Sequence, residues 1–324
     1  MNKLLTVSIA AYNVQAYLEN CLNSLLIPSM EKLEVLIEND GSKDNTAQIA
    51  KFYEEKYPGV FRLVNKENGG YGSTINNSIR LATGKYFKQL DGDDWYDTAH
   101  LEALICALET VDADCLFTPF MEVYEEDGTQ ILRGKTDLSN DVYPLEQVIC
   151  KEWFLQMHGL AFRTDLLREH GVQILEHCFY TDQEYVIYPL LYANTVFVFD
   201  QHIYCYRLGR DGQSVSIEGW RKHCAEHDRV IRQLLTKYDQ LQDCNPTVAH
   251  MLTQRLLGLI HWQYKLYMAL GDKQTQLKDF DSHLRCCCPA LFAIRQQVEG
   301  NRLKLMRLSG FLLYPLLRKK ELDG

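Results

Sequence analysis

Short apolar runs rich in β-branched residues alternate with helix-patterned stretches along the first 118 residues, and this alternation constrains the fold more than any other feature of the chain. Residues 4–11 read as a buried strand. Val14, Leu18, Cys21, Leu22 and Leu25 then fall at helical spacing. Residues 33–38 read as a second strand, and 44–57 as a helix with Asp44 or Asn45 available to cap it. A third strand over 60–65 leads through a glycine-rich turn into a helix over 73–82. A fourth strand over 86–90, a helix over 98–108 and a fifth strand over 115–118 complete the series. Strands separated by helices pair in parallel, which predicts an α/β fold with a mostly parallel sheet and helices on both faces.

After about residue 119 the rhythm changes. Residues 121–133 read as a hairpin around Glu126-Asp127-Gly128, 185–192 as a helix, and 195–199 and 203–207 as strands. From Glu218 the chain reads as helix over 218–238, 247–270 and 274–284, with Leu256, Leu257, Ile260, Tyr264 and Tyr267 at core spacing. The expected organisation is an α/β domain over 1–217 and a C-terminal helical region over 218–324. Charge follows a similar division. Residues 1–200 carry 15 basic and 31 acidic side chains, whereas 201–324 carry 19 basic and 12 acidic ones. The acidic front is a poor surface for nucleic acid. The basic back third suits an anionic membrane, an acceptor or a second subunit.

The first residues run straight into a strand pattern with no signal-peptide signature, and the apolar stretch 311–317 is too short to span a bilayer. Eleven cysteines, an odd number, fit no disulfide framework of a small secreted domain, and Cys286-Cys287-Cys288 lacks metal-site spacing. Reduced thiols in a cytoplasmic protein are the expectation.

Ligands of open α/β sheets bind beyond the carboxyl ends of the strands, and three such ends are chemically loaded. The first strand ends in Ala10-Ala11-Tyr12-Asn13, the second in Asn39-Asp40-Gly41-Ser42, and the fourth in Asp91-Gly92-Asp93-Asp94-Trp95. Carboxylates one residue apart offer oxygen to a hard divalent cation and leave coordination positions for a substrate diphosphate. A solvated acidic turn capping the next helix is the plain alternative for such a motif, and Asp40-Gly41-Ser42 alone is equally a turn. Asn68-Gly69-Gly70-Tyr71-Gly72 resembles a phosphate cradle. It lacks the Lys-Ser/Thr of a P-loop and follows the third strand instead of the first, which argues against an NTPase and a nicotinamide enzyme.

Together these segments resemble the family 2 glycosyltransferases of GT-A fold, of the bacterial surface-polysaccharide type. Ala10-Ala11-Tyr12-Asn13 is similar to the family's opening "P-x-Y-N" element, with Ala where Pro is frequent. Asp40-Gly41-Ser42-Lys43-Asp44-Asn45-Thr46 is similar to "DGSxDxT". Asn68-Gly69-Gly70 with Asn76 resembles "NGG…RN", although Ile75 stands where Arg is common. Ala82-Thr83-Gly84-Lys85-Tyr86 with Leu90-Asp91-Gly92-Asp93-Asp94-Trp95 looks like "ATGxY…LDxDDW". The resemblance covers about residues 4–120 strongly and 155–215 more loosely. It implies nucleotide contacts from Ala11, Tyr12, Asn13, Asp40, Asn68, Gly69, Gly70, Asp91 and Gly92, with Tyr12 and Asp40 at the base and Asp91 at the ribose. It also implies Mn²⁺ or Mg²⁺ on Asp93 and Asp91, bridging the diphosphate.

Family 2 enzymes are inverting, and one displacement at the anomeric carbon needs a general base for the acceptor hydroxyl. Phe179-Tyr180-Thr181-Asp182-Gln183-Glu184-Tyr185 resembles the family's "ED" segment with Thr in place of Glu, which assigns Asp182 as base and Glu184 as runner-up. The plain reading of Asp182 is a helix N-terminal charge. Tyr204-Cys205-Tyr206-Arg207 and Gly212-Gln213-Ser214-Val215-Ser216 resemble a further family stretch, with Arg207 or Arg210 steadying the diphosphate or Arg207 serving structure. Trp95, beside the acids, is the candidate for sugar stacking. His158 and His177 read as ordinary packed or surface histidines. The implied function is metal-dependent transfer from a nucleoside-diphosphate sugar, UDP-linked, to a saccharide or lipid-linked hydroxyl in cell-surface polysaccharide synthesis. The alternative is a non-catalytic sugar-nucleotide-binding or assembly protein of the same fold. Donor sugar and acceptor stay open.

Overall fold

The computed structural model describes residues 2–138, 140–150, 155–209 and 217–318. The chain forms two compact units, residues 1–210 and 211–324.

The first unit holds twelve described strands: β1 (Leu5–Ala11), β2 (Leu33–Asp40), β3 (Phe61–Lys66), β4 (Tyr86–Asp91), β5 (Trp95–Tyr96), β6 (Cys115–Phe117), β7 (Phe120–Tyr124), β8 (Gln130–Arg133), β9 (Asp141–Pro144), β10 (Leu160–Arg163), β11 (Thr195–Val198) and β12 (Tyr204–Leu208). Eight of them build the central sheet in the order β3-β2-β1-β4-β10-β6-β11-β9. The first four are parallel, as the alternation predicts. Leu5, Val7, Ile9, Val35, Ile37 and Leu90 are fully buried, so these strands read as apolar runs.

The sheet is not wholly parallel. β10 enters antiparallel between β4 and β6, and β9 closes the edge antiparallel to β11. Lys88 helps to fix the insertion. Its buried ammonium, on β4, donates to the carbonyls of His158 at 2.7 Å and Leu160 at 3.2 Å. A lysine inside a strand pattern gives no hint of this, because its partners are backbone atoms 70 residues away.

The expected hairpin is β7–β8, with Phe120 opposite Arg133. Together with β5 and β12 it forms a second sheet, β5-β12-β7-β8. The helix expected from Val14 begins at Leu18, and that expected from Ser73 begins at Tyr71. At the helix Thr46–Lys56 Asn45 holds the N-cap position without a side-chain cap bond, and Asp44 before it accepts from the Thr46 amide at 3.0 Å.

The second unit is helical: Ile217–Leu235, Pro246–Ala269, Gln274–Cys287, Pro289–Val298, Asn301–Leu308 and Tyr314–Leu317. Leu256, Leu257, Ile260, Tyr264 and Tyr267 are buried as their spacing predicts. Its core also holds a charged cluster. Arg307 donates to Asp281 at 2.6 Å and pairs with Glu299, and Arg295 donates to Glu299 at 2.6 Å. All eleven cysteines are free thiols. Among the described residues, no helix is long and apolar enough to cross a membrane.

Candidate active site

Parallel pairing aligns the strand ends. Ala10 lies opposite Asp91 on one side and Glu38 on the other, Ala11 opposite Asn39, and Asp40 opposite Lys66. The acids predicted to converge therefore share one edge of the sheet.

The first two loops are laced together. Asn13, held at φ 53°, accepts from the Lys43 amide at 2.8 Å through its side chain. Val14 donates to Thr46 at 3.0 Å, and Gln15 to Asp44 at 3.1 Å. Tyr12 stands out from this frame with half of its surface exposed.

Asp40 is buried, and its carboxylate accepts from the amides of Gly69 and Gly70 at 2.9 Å each while pairing with Lys66. Asn68 donates to the Asp40 carbonyl at 2.9 Å. The carboxylate at the end of β2 thus shapes the glycine-rich loop. Gly72 admits no side chain, since a Cβ would stand 2.0 Å from the Leu175 carbonyl oxygen. That close approach locks the loop to the segment before Asp182. His177 donates to the Gly69 carbonyl at 2.5 Å, and Leu175 donates to the Glu184 carboxylate at 2.9 Å.

At the end of β4 the turn splits its three acids. Gly92 donates to the Ala10 carbonyl at 3.0 Å, and a Cβ there would stand 2.9 Å from that oxygen. Asp94 points inward, 1% exposed, and accepts from the Tyr204 hydroxyl at 2.6 Å and the Arg207 amide at 2.7 Å. Burial, reinforced by Asp91 and Asp93, pushes its carboxyl well above the ordinary range. Asp91 and Asp93 are only partly buried. Asp91 accepts from the Tyr71 hydroxyl at 2.7 Å.

Burial, Asp91 and Asp182 all raise the Tyr71 phenol. Tyr206 likewise feels Asp91 and Asp182. Asp182 opens the helix Asp182–Leu190 and accepts from Gln183 at 2.5 Å. Glu184, two residues on, is fully buried and accepts from Tyr188 at 3.0 Å as well as from Leu175.

Arg207 is a strut for the acidic turn. Its guanidinium lies between Tyr17 and Trp95, 4.8 Å from each ring centre. It donates to the Asp93 carbonyl at 2.7 Å and pairs with Glu125. The face of Trp95 is engaged by that cation. Arg210 and the 212–216 stretch lie outside the described residues.

His158, read from sequence as an ordinary histidine, stacks on Tyr206 at 4.3 Å and meets Tyr204 edge-on at 4.8 Å. A ring nitrogen lies within 4.8 Å of carboxylate oxygens of Asp91 and Asp94. Burial and the nearby Lys88 hold its pKa down to about 3, which keeps it neutral. Tyr71 and Tyr204 sit inside quoted motifs. Their partnership with the acids needed the fold to become visible.

The donor set at this strand end is carboxylate oxygen, with one neutral imidazole behind it. That chemistry fits Mn²⁺ or Mg²⁺, which favour oxygen ligands and keep positions for phosphate.

Residues 6–171 match the model for "Glycosyl transferase family 2". The chain is 27% identical over 275 residues to the Escherichia coli (strain K12) "Uncharacterized glycosyltransferase YibD", covering 80% of this chain and 79% of that one. It is 35% identical over 132 residues to the chondroitin synthase of Pasteurella multocida (strain Pm70), 40% of this chain but 14% of that protein. In structure it is similar to S. aureus TarS 1–349 in complex with UDP-GlcNAc, with a TM-score of 0.73, 19% identity, and coverage of 97% and 90% of the two chains. It is also similar to the mannosyltransferase PcManGT from Pyrobaculum calidifontis in complex with GDP-Man and Mn²⁺, with a TM-score of 0.52, 16% identity, and coverage of 98% and 86%. With more than half of its length matched, the chain belongs to glycosyl transferase family 2 and has the GT-A fold.

Proposed function

We propose that this glycosyltransferase works by inversion and depends on a divalent metal. It moves a hexosyl or N-acetylhexosaminyl unit from a UDP-sugar to a hydroxyl of a saccharide or lipid-linked acceptor in cell-surface polysaccharide synthesis. The observation that supports this reading is the Tyr71 phenol, which donates to Asp91 at 2.7 Å and also feels the charge of Asp182. The UDP-GlcNAc and UDP bound by the TarS neighbours support a uridine donor.

Each residue has its part. Tyr12 offers an exposed ring to the nucleoside base. The amides of Asn68, Gly69 and Gly70, shaped by Asp40, border the nucleotide, as do Ala11, Asn13 and Gly92. Asp91 and Asp93 would hold Mn²⁺ or Mg²⁺, which when bound supplies positive charge against the departing diphosphate. Arg207 keeps the turn that carries Asp93 in place. Asp182 takes the proton of the acceptor hydroxyl as that oxygen bonds to the anomeric carbon and the bond to the diphosphate breaks. The buried, doubly bonded Glu184 leaves Asp182 as the better placed base.

The test is a sugar-nucleotide screen with Mn²⁺ that reads UDP release. Wild type should release UDP from one donor. Asp93→Ala should lose both turnover and Mn²⁺-dependent UDP binding, whereas Asp182→Asn should bind UDP normally and turn over at least a hundred-fold more slowly. If wild type binds UDP but no donor and acceptor pair yields product, the chain is a binding or assembly protein. Full activity in Asp93→Ala would overturn the site.

A further inference from the structure

The last described stretch of the helical unit is apolar on both its sides. Inward, Leu303, Met306, Phe311 and Tyr314 are buried in the unit's core. Outward, Leu308, Leu312 and Leu316 are 84%, 78% and 79% exposed, with Leu305 and Leu313 beside them. The inner side already anchors the segment, so these outer leucines are not needed to pack it. These three leucines, at the end of the helix Asn301–Leu308, in the turn after it and in the helix Tyr314–Leu317, leave a crest of apolar surface in water, which is unfavourable.

Charge selects what covers it. Residues 301–320 carry six basic side chains and no acidic one. Arg307 is used internally, but Arg302 and Arg318 are exposed and Lys304 is partly so. Arg318, two residues after Leu316, lines a cavity of about 600 Å³ together with Arg221 and Lys273, with a single acid, Asp272. A second copy docking the same patch across a twofold axis would set these cations against themselves. A sheet of anionic phosphate headgroups over hydrocarbon matches both the leucines and the charge.

We propose that the surface formed by Leu308, Leu312 and Leu316 with Arg302, Lys304 and Arg318 docks on an anionic lipid bilayer. The leucines enter the boundary between headgroup and acyl chain, and the Arg221–Lys273–Arg318 cavity receives a lipid phosphate. This does not depend on which sugar is transferred or on Asp182.

The test is co-sedimentation of the full chain with vesicles of phosphatidylglycerol and phosphatidylcholine, against pure phosphatidylcholine vesicles. Binding should need the anionic lipid and weaken at least ten-fold between 50 and 500 mM salt. Leu308→Ser/Leu312→Ser/Leu316→Ser should bind at least ten-fold more weakly with its circular dichroism unchanged. Arg302→Gln/Arg318→Gln should lose the salt-dependent part. Equal binding of wild type and the leucine variant, or binding indifferent to lipid charge, would overturn the proposal. So would a dimer in light scattering that the leucine variant abolishes while wild type ignores vesicles, and so would inorganic phosphate binding without vesicle binding.

Discussion

The side chain of Asn76 and the backbone of Ile174 exchange two hydrogen bonds of 2.8 Å each, one donated by the carboxamide and one accepted by it. Asn76 sits on the helix that follows the glycine-rich loop, and Ile174 lies eight residues before Asp182. One carboxamide thus serves as a strand partner for the segment that leads to the proposed base. Asn76→Ala leaves both backbone groups unpaired and should cost about 1–3 kcal/mol. Urea unfolding reads the loss, and amide exchange should quicken at Leu175 and His177 while the β1 amides stay protected.

Asp40 is a receptor for three donors, Gly69, Gly70 and Lys66. Asp40→Asn keeps the shape but has only one accepting oxygen and no charge. One glycine amide loses its acceptor, and Lys66 loses its counter-charge while keeping the Glu67 carbonyl and the Ser73 hydroxyl. UDP binding measured by calorimetry should weaken roughly ten-fold, about 1.4 kcal/mol. Unchanged affinity would mean that the loop holds its form without the carboxylate.

How legible was this in the sequence? The four parallel strands were, because each is a short apolar run bracketed by helix patterns, and their ends carry the acids at Asp40 and Asp91. The antiparallel entry of β10 was not, because Leu160–Arg163 is four residues long and its place rests on Lys88 reaching backbone carbonyls. Arg207 carries two readings in the sequence, a diphosphate contact or a structural part. Its setting between Tyr17 and Trp95 joins three segments far apart in the chain. His158 reads as an ordinary packed or surface histidine and is a packed one, but only folding brings it behind Asp91 and Asp94.

That setting makes Arg207 sensitive to a change that keeps its charge. Lys offers no planar fork and stacks poorly between two rings. Arg207→Lys should loosen the Asp93 carbonyl and weaken UDP binding about ten-fold, about 1.4 kcal/mol, in the presence of Mn²⁺. Binding without metal should change little. Parallel titrations with Mn²⁺ and with chelator make the comparison, and an equal loss in both would show that Arg207 acts on the nucleotide by another route.

Lys88 makes stability depend on pH. Burial lowers its pKa from 10.5 to about 7 in the folded chain, whereas the unfolded chain keeps the ordinary value. Between these values the unfolded state binds the extra proton, so stability from this group rises with pH from about 7 towards 10.5. Below pH 7 both states are protonated and the buried charge rests on the carbonyls of His158 and Leu160 and the face of Tyr204. Lys88→Met removes the titration. The urea midpoint of wild type should therefore rise between pH 7 and 9.5 relative to that of the variant. A parallel pH response of the two proteins would show that Lys88 keeps its proton when folded, held by the two carbonyls.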